Sequence, residues 1–147
     1  MKVYLDVCCL NRPFDDQTQD RIRLETEAIY TILKFIDEGK FALLNSDIIF
    51  YEVEKIPDLK RKNGIRMILS KAKYYINLNE DILKRGYEIQ KTGLKSYDAL
   101  HIASAEYGKA AIFLTTDDKL LKVVKNHREK IHVKVQNPLN WILGVLK

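Results

Sequence analysis

Four acidic residues lie at positions where a folded chain seldom leaves an unpaired carboxylate. Asp6 follows an apolar segment and Glu52 lies within another, while Asp98 and Asp117 stand near the starts of two helix-like segments. Carboxylates that are crowded together repel one another and lose hydration, so they are rarely tolerated unless a hard cation such as Mg²⁺ or Mn²⁺ neutralises them. If the fold brings these acids together, they indicate a metal site.

Each acid also has a simpler interpretation. Asp6 could be a turn residue, although the apolar Val7 follows it directly. Glu52 could lie at the rim of an apolar helix face. Asp98 could be stabilised only by the helix dipole, and Asp117 could be only a helix cap. The metal-site interpretation therefore depends on whether the elements that carry these residues converge.

Helical phase separates two of these acids from their acidic neighbours. Glu52 shares a helix face with apolar residues such as Ile49, whereas Glu54 points to the other side. Asp117 is in phase with the apolar residues of the following helix, whereas Asp118 is rotated from them by about 100°. Glu52 and Asp117 are therefore the candidates that face inward.

Short apolar segments alternate with amphipathic helices along the chain, and this order predicts a parallel sheet covered on both faces. The predicted class is α/β, a three-layer α/β/α sandwich with a central, mostly parallel sheet. Ligands of such sheets bind beyond the carboxyl ends of the strands, where Asp6, Thr115 and Asp117 would lie. We expect strands at residues 2–5, 41–44, 74–78, 111–114 and 131–135, and helices at 21–38, 48–56, 63–73, 80–91, 97–107, from 117, and after 138.

The size and composition predict one globular domain over residues 1–147. The apolar runs are short, and no secretory leader is evident at the first residue, so we expect a cytoplasmic protein without a membrane segment. Cys8 and Cys9 are the only cysteines. As neighbours in a strand they would point to opposite faces, which excludes a disulfide scaffold and favours two small buried side chains.

The charge balance favours a polyanionic partner. The formal net charge is +5 and the isoelectric point is near 9.1, which suits RNA but is also common in proteins with no nucleic-acid partner. The candidate RNA-binding residues are Arg12 and the basic stretch that contains Lys60, Arg61, Lys62 and Arg66. A solvated helix face is an equally good interpretation of that stretch.

Four segments of the chain resemble the ordered motifs of PIN domains. They are Val3-Tyr4-Leu5-Asp6, Ser46 through Glu52, Asp98-Ala99-Leu100-His101-Ile102-Ala103-Ser104-Ala105, and Leu114-Thr115-Thr116-Asp117. The resemblance covers nearly the whole chain, and in length the chain is most similar to VapC-like toxins of bacterial toxin–antitoxin modules. It departs from the family pattern at Val7 and Cys8, where small polar residues are common.

The resemblance implies an endoribonuclease that depends on Mg²⁺ or Mn²⁺. In that function, Asp6, Glu52, Asp98 and Asp117 form the acidic metal-binding set, and Thr115 assists them. The resemblance also implies a toxin that a small antitoxin protein inhibits, and a homodimer formed through the helical layer. A metal ion held by carboxylates can orient a phosphodiester and activate water, so the reaction needs no Ser or Cys nucleophile.

Two other functions remain open. The first is a catalytically weak PIN-like module that binds RNA or another protein, and Val7 and Cys8 favour it. The second is a phosphohydrolase with Asp6 as nucleophile, but enzymes of the haloacid-dehalogenase kind have a second Asp two residues later, where this chain has Cys8. His101 is interpreted as a structural histidine, with a role at the acidic site as the alternative.

Overall fold

A five-stranded parallel sheet lies at the centre of the molecule. The structure is a computed structural model, and it describes residues 1–147. The strand order is β3-β2-β1-β4-β5. This sheet confirms the predicted α/β class. The strands are β1 (Lys2–Leu5), β2 (Ala42–Ser46), β3 (Tyr74–Ile76), β4 (Ile112–Leu114) and β5 (Val135–Gln136).

Helices connect consecutive strands and cover the sheet. Helix α6 packs against both α3 and α5, and α2 packs against α8. None of the helices is both long enough and apolar enough to span a membrane. The helices are α1 (Val7–Asn11), α2 (Asp20–Asp37), α3 (Asp47–Glu54), α4 (Leu59–Leu69), α5 (Glu80–Gln90), α6 (Ser96–Tyr107), α7 (Asp118–Asn126) and α8 (Pro138–Val145), with 3₁₀ turns at Arg12–Phe14 and Arg128–Lys130.

The central strand β1 is buried on both faces. Val3, Tyr4 and Leu5 are at most 1% exposed, as expected for a strand with helices above and below it. In the register of the sheet, Tyr4 lies between Leu44 of β2 and Phe113 of β4. The carboxyl ends of β2, β1 and β4 therefore lie side by side, and the loops that follow them share one edge of the sheet.

The segment after Asp6 differs from the prediction. Residues 7–11 form the short helix α1, which Asp6 caps by accepting a hydrogen bond from the backbone N–H of Val7 at 2.9 Å. Cys8 and Cys9 are therefore neighbours in a helix, and the argument that placed them on opposite faces of a strand was wrong. Both thiols are free, Cys8 half-buried and Cys9 buried.

Two other elements were misplaced. The helix expected at residues 63–73 is α4, which begins at Leu59 because the Asp58 side chain caps it by accepting hydrogen bonds from the backbone N–H groups of Lys60 and Arg61. The strand expected at residues 131–135 is β5, which covers only Val135–Gln136. Ile131 and Val133 are buried without pairing in the sheet. Apolar alternation there indicated burial and not strand pairing.

Candidate active site

The four predicted acids come from four different elements. Asp6 follows β1 and Asp117 follows β4, which is paired with β1. Glu52 lies on α3, the helix after β2, and Asp98 is the third residue of α6. Since β2 and β4 flank β1, the chain brings the segments after these strands to one edge of the sheet.

Asp98 shows that the acids influence one another. Its side chain is half-buried, and its pKa is raised to about 6, first by burial and then by the negative charges of Asp6 and Asp117. Glu52 raises this pKa further, while His101 lowers it. No hydrogen bond from another protein group lowers the pKa of the Asp98 carboxyl. The charges of Asp6, Asp117 and Glu52 therefore all act on the Asp98 carboxyl.

Thr115 links two of these acids. Its hydroxyl donates a hydrogen bond to Oδ2 of Asp6 at 2.8 Å and accepts one from the backbone N–H of Asp117 at 3.1 Å. Asp6 is only 6% exposed and Thr115 is fully buried. The Asp6 carboxylate is therefore held on both oxygens, by Val7 N–H on Oδ1 and by Thr115 on Oδ2.

Asp117 caps α7 with one oxygen. Its Oδ1 accepts hydrogen bonds from the N–H groups of Lys119 at 2.9 Å and Leu120 at 3.3 Å, while Oδ2 has no protein donor. The capping role and a role at the site are therefore compatible. The neighbouring Asp118 is exposed and accepts hydrogen bonds from the two terminal guanidinium nitrogens of Arg21 at 2.7 and 2.9 Å. Its carboxylate is therefore engaged with Arg21.

Glu52 contacts a histidine that sequence reasoning interpreted as structural. Nε2 of His101 lies 2.8 Å from Oε1 of Glu52, and Nδ1 lies 2.7 Å from the hydroxyl of Tyr4. His101 is fully buried. Its position one turn after Asp98, in a helix rich in small residues, was the signal in the sequence. The adjacent acid Glu54 is exposed and pairs with Arg66.

Cys8 supplies a sulfur next to the acids. Its Sγ lies 3.4 Å from Oδ2 of Asp6 and 3.3 Å from Oγ1 of Thr115, and it accepts the N–H of Thr116 at 3.3 Å. A thiol thus takes part in hydrogen bonding where small polar side chains were expected. Cys9 instead donates to the carbonyl of Leu114, and burial raises the pKa of its thiol.

Arg12 and Arg61, two candidate RNA-binding residues, contact acids of the protein itself. Both guanidinium groups lie within 3.1 Å of the Asp15 carboxylate, and Arg12 also donates to Glu25 at 2.8 Å. Arg61 further donates to the carbonyl of Phe14 at 2.7 Å. These contacts fix the loop after α1 against α2 and α4, and they occupy donors that would otherwise be available to phosphate.

The remaining basic candidates lie on α4. Arg66 is paired with Glu54. Lys60 and Lys62 have no acidic partner among the ion pairs of the protein. Of the five candidates, only these two lysines are free of intramolecular ion pairs, and an RNA contact by any of them stays a prediction.

Sequence reasoning did not find the buried acid Glu25. This side chain on α2 is 1% exposed and accepts hydrogen bonds from Arg12 at 2.8 Å, Arg21 at 3.2 Å and Asn137 at 2.6 Å. The spacing of Arg21 and Glu25 on one helix was a local signal. The other two donors come from distant parts of the chain. Glu25 is therefore a structural acid with every oxygen satisfied.

The acid set fits a hard cation in its chemistry. Oxygen atoms without protein donors remain on Asp98, on Asp117 (Oδ2) and on Glu52 (Oε2). No three His, Cys, Asp or Glu side chains lie close enough to hold a metal ion by themselves. The donor type suits Mg²⁺, which prefers oxygen ligands, keeps several waters and is usually bound through one or two carboxylates.

Three solved structures share this fold at low sequence identity. VapBC2 from Rickettsia felis, bound to a DNA fragment from its promoter, is 15% identical, with a TM-score of 0.59 over 93% of this chain and 98% of that one. A toxin–antitoxin complex from Klebsiella pneumoniae is 21% identical, with a TM-score of 0.60 over 92% and 97%. VapBC-1 from nontypeable Haemophilus influenzae is 14% identical, with a TM-score of 0.56 over 94% and 98%.

At these identities the likeness shows a common fold. A comparison with curated proteins gave no significant match. The family model that describes the PIN domain matches residues 3–126, a range that includes all four acids and all but the first residue of the first four strands. The sequence match and the shared fold agree, and this chain belongs to the PIN domain family.

Proposed function

We propose that this PIN domain is an endoribonuclease that depends on Mg²⁺ or Mn²⁺. The observation that carries the proposal is the state of Asp98. Its half-buried carboxylate accepts no hydrogen bond from the protein, and its pKa is raised to about 6 by burial and then by neighbouring acids. The chain supplies three donors to the buried Glu25, so it satisfies a buried acid where the role is structural. Leaving Asp98 among other acids is costly unless a cation binds there.

The chain's own residues would divide the work at this site. The cation would be held by the Asp98 carboxylate, by Oδ2 of Asp117 and by Oε2 of Glu52, none of which accepts a hydrogen bond from the protein. Thr115 keeps the Asp6 carboxylate in place. A bound Mg²⁺ or Mn²⁺ would orient a phosphodiester, lower the pKa of an attacking water and neutralise charge that develops in the transition state.

The proposal includes a toxin function in the cytoplasm. One structure with this fold is described as a toxin–antitoxin complex and two as VapBC proteins, which supports a small antitoxin as partner.

A homodimer through the helical layer is part of the same proposal. Phe50 and Tyr51 of α3 are 50% and 43% exposed, so an apolar surface is available there. Light scattering of the purified chain would test the dimer.

The test is cleavage of structured and single-stranded RNAs by the purified chain, with Mg²⁺, Mn²⁺ or EDTA. The wild type is compared with Asp6→Asn, Asp98→Asn and Asp117→Asn, and with Asp118→Asn as the matched control outside the site. Metal-dependent cleavage that only the three site variants lose supports the proposal, and the products should carry 5′-phosphate ends. Equal traces in all variants would indicate contamination and contradict it.

A catalytically weak RNA-binding module is the second candidate. Cys8 favours it, because sulfur forms weaker hydrogen bonds than the hydroxyl that is common near this position, and Thr115 and Asp6 both contact that sulfur. RNA binding that persists in EDTA, without cleavage in any metal ion, would support this candidate over the nuclease.

A further inference from the structure

We propose that His101 is a positioning residue, which holds the Glu52 carboxylate toward the acidic site through a buried hydrogen-bond chain that begins at Ser46 and passes through Tyr4. The inference rests on the proposed function, since it explains how one acid of that site is oriented. Nothing in the metal-site interpretation itself requires a histidine at this position.

This series of hydrogen bonds joins two strands to two helices. Oγ of Ser46, at the end of β2, lies 2.8 Å from the Tyr4 hydroxyl on β1. That hydroxyl lies 2.7 Å from Nδ1 of His101 on α6, and Nε2 lies 2.8 Å from Oε1 of Glu52 on α3. Ser46, Tyr4 and His101 are all 0% exposed. Three buried polar side chains thus connect the N-cap of α3 to an acid six residues further along the chain.

The hydrogens of this chain have one arrangement in which each finds an acceptor. An ionised Glu52 only accepts, so Nε2 of His101 carries a proton. Nδ1 of the neutral ring then accepts from Tyr4, and the Tyr4 oxygen accepts from the Ser46 hydroxyl. Ser46 in turn accepts the N–H of Ile49 at 3.1 Å. Burial raises the pKa of Tyr4 well above its usual value, so the phenol keeps its proton.

This arrangement restricts a side chain that would otherwise be mobile. The Glu52 side chain is 33% exposed, and a free glutamate samples many rotamers, whose entropy is lost when it binds a ligand. His101 occupies Oε1 and leaves Oε2 without a protein partner. Asp98 lies one turn before His101 on the same helix. One face of α6 therefore carries an acid of the site and also the residue that orients a second acid.

His127 shows what a histidine with a purely local role looks like in this protein. Its Nδ1 contacts the carbonyl of Val123, one turn earlier in its own helix, at 3.0 Å. It makes no contact with an acid. His101 instead contacts two other elements, and Glu52 is one of its two partners. His127→Leu is therefore a matched control for His101→Leu.

The first experiment measures Mn²⁺ affinity by electron paramagnetic resonance, without RNA. His101→Leu should weaken binding by about 10- to 100-fold, the range typical for partners that orient metal ligands. His101→Gln should retain most of the affinity, because its amide can both donate to Glu52 and accept from Tyr4. His127→Leu should bind as the wild type does.

The same measurement in a Glu52→Ala background separates positioning from a structural role. If His101 acts through Glu52, His101→Leu causes no further loss once Glu52 is absent. An equal loss of Mn²⁺ affinity with and without Glu52 would overturn the inference.

The second experiment uses metal-free wild type labelled with ¹⁵N-histidine. Nuclear magnetic resonance should show a proton on Nε2 of His101, and Tyr4→Phe should weaken this preference because Nδ1 loses its donor. An unprotonated Nε2 in the wild type would overturn the inference. Because this measurement needs neither metal nor RNA, it reports on His101 even if the wild type binds no Mn²⁺, a result that would contradict only the proposed function.

Discussion

At the scale of single residues, structural roles and the proposed chemical roles fall on the same side chains. Asp6 caps α1, Asp117 caps α7, and both still belong to the group of acids around Asp98. Capping uses only some of the oxygen lone pairs, so the simpler interpretation of each residue does not compete with the chemical one. Asp98 is different, because it has no capping hydrogen bond and its charge is disfavoured by its surroundings.

Asp98→Asn should stabilise the metal-free protein near neutral pH. The folded state raises the pKa of Asp98 from 3.8 to about 6, so it favours the protonated form. The stability that Asp98 contributes is present below pH 4 and is lost as the pH rises through 6. After discounting for solvent screening of this half-exposed group, we expect a gain on the order of 1 kcal/mol at pH 7.5, or about 2–4 °C in Tm.

Thermal unfolding in EDTA at pH 3.5 and pH 7.5 measures this prediction. The gain in Tm should be present at the higher pH and absent at the lower one. Asp118→Asn is the control, since it removes only an exposed ion pair with Arg21 and should change stability by less than about 1 kcal/mol. A lower Tm of Asp98→Asn than of wild type at pH 7.5 would contradict the prediction, because it would show that the Asp98 charge stabilises the fold.

At the scale of elements, helix caps direct the chain at the edge of the sheet where the site lies. Ser46 caps α3 and Asn137 caps α8, each by accepting backbone N–H groups at the start of its helix. Asp6 and Asp117 do the same for α1 and α7. The site acids on these turns are therefore held by local backbone geometry before any ligand binds.

Two substitutions at Asp117 should distinguish its role as the cap of α7 from the role of its negative charge. Asn is as good a cap as Asp, so Asp117→Asn should leave the free energy of unfolding in EDTA near that of wild type. Asp117→Ala removes the hydrogen bonds to Lys119 and Leu120 and should cost about 1 kcal/mol. Urea unfolding measures both. RNA cleavage should be lost in the two variants alike, and cleavage by Asp117→Asn would exclude this carboxylate from the site.

At the scale of the whole molecule, part of the positive charge is paired with acidic side chains of the protein itself. The formal net charge is +5, yet Arg12, Arg21 and Arg61 are engaged with acids near the first helices. Glu25 lies at the centre of this network and joins α2 to the loop after α1 and to the start of α8. The network fixes the surroundings of the site rather than contributing to it.

Removing the Glu25 side chain should therefore lower the free energy of unfolding of the whole domain. Glu25→Ala removes the buried acceptor of Arg12, Arg21 and Asn137, and because both arginines keep another acidic partner, the free energy of unfolding should fall by about 1–3 kcal/mol. The exposed Glu27 on the same helix provides the control, and Glu27→Ala should stay within about 0.5 kcal/mol of wild type. Chemical denaturation measures both. Equal effects of the two substitutions would show that the network contributes little.

Metal binding should stabilise the entire fold against heat. A ligand that binds only the folded state adds about 2.7 kcal/mol when its concentration is 100 times its Kd. The Tm of wild type should rise with Mn²⁺ concentration, and the rise should be smaller below pH 6, where Asp98 is protonated. Asp98→Asn should show a much smaller rise, and an equal rise in wild type and variant would place the cation elsewhere.

The sequence by itself determined the fold class and the identity of the candidate acids. Strand and helix positions follow from hydrophobic periodicity and caps, which depend only on neighbouring residues. The same local rules separated Glu52 from Glu54, since their directions on one helix are set by its pitch. The resemblance to PIN domains rests on the order in which the four acidic motifs occur along the chain. The spacing of the acids alone does not identify them as one set.

Only the tertiary structure decided which distant groups meet. Residues 7–11 look like a continued apolar strand, but Asp6 caps them and they pack against α2 and α4 as a helix. His101 reaches Tyr4 and Glu52, which are far from it in sequence, and Arg61 reaches Asp15 in the same way. Such contacts depend on the packing of whole elements, which brings together residues that carry no local signal of their partners.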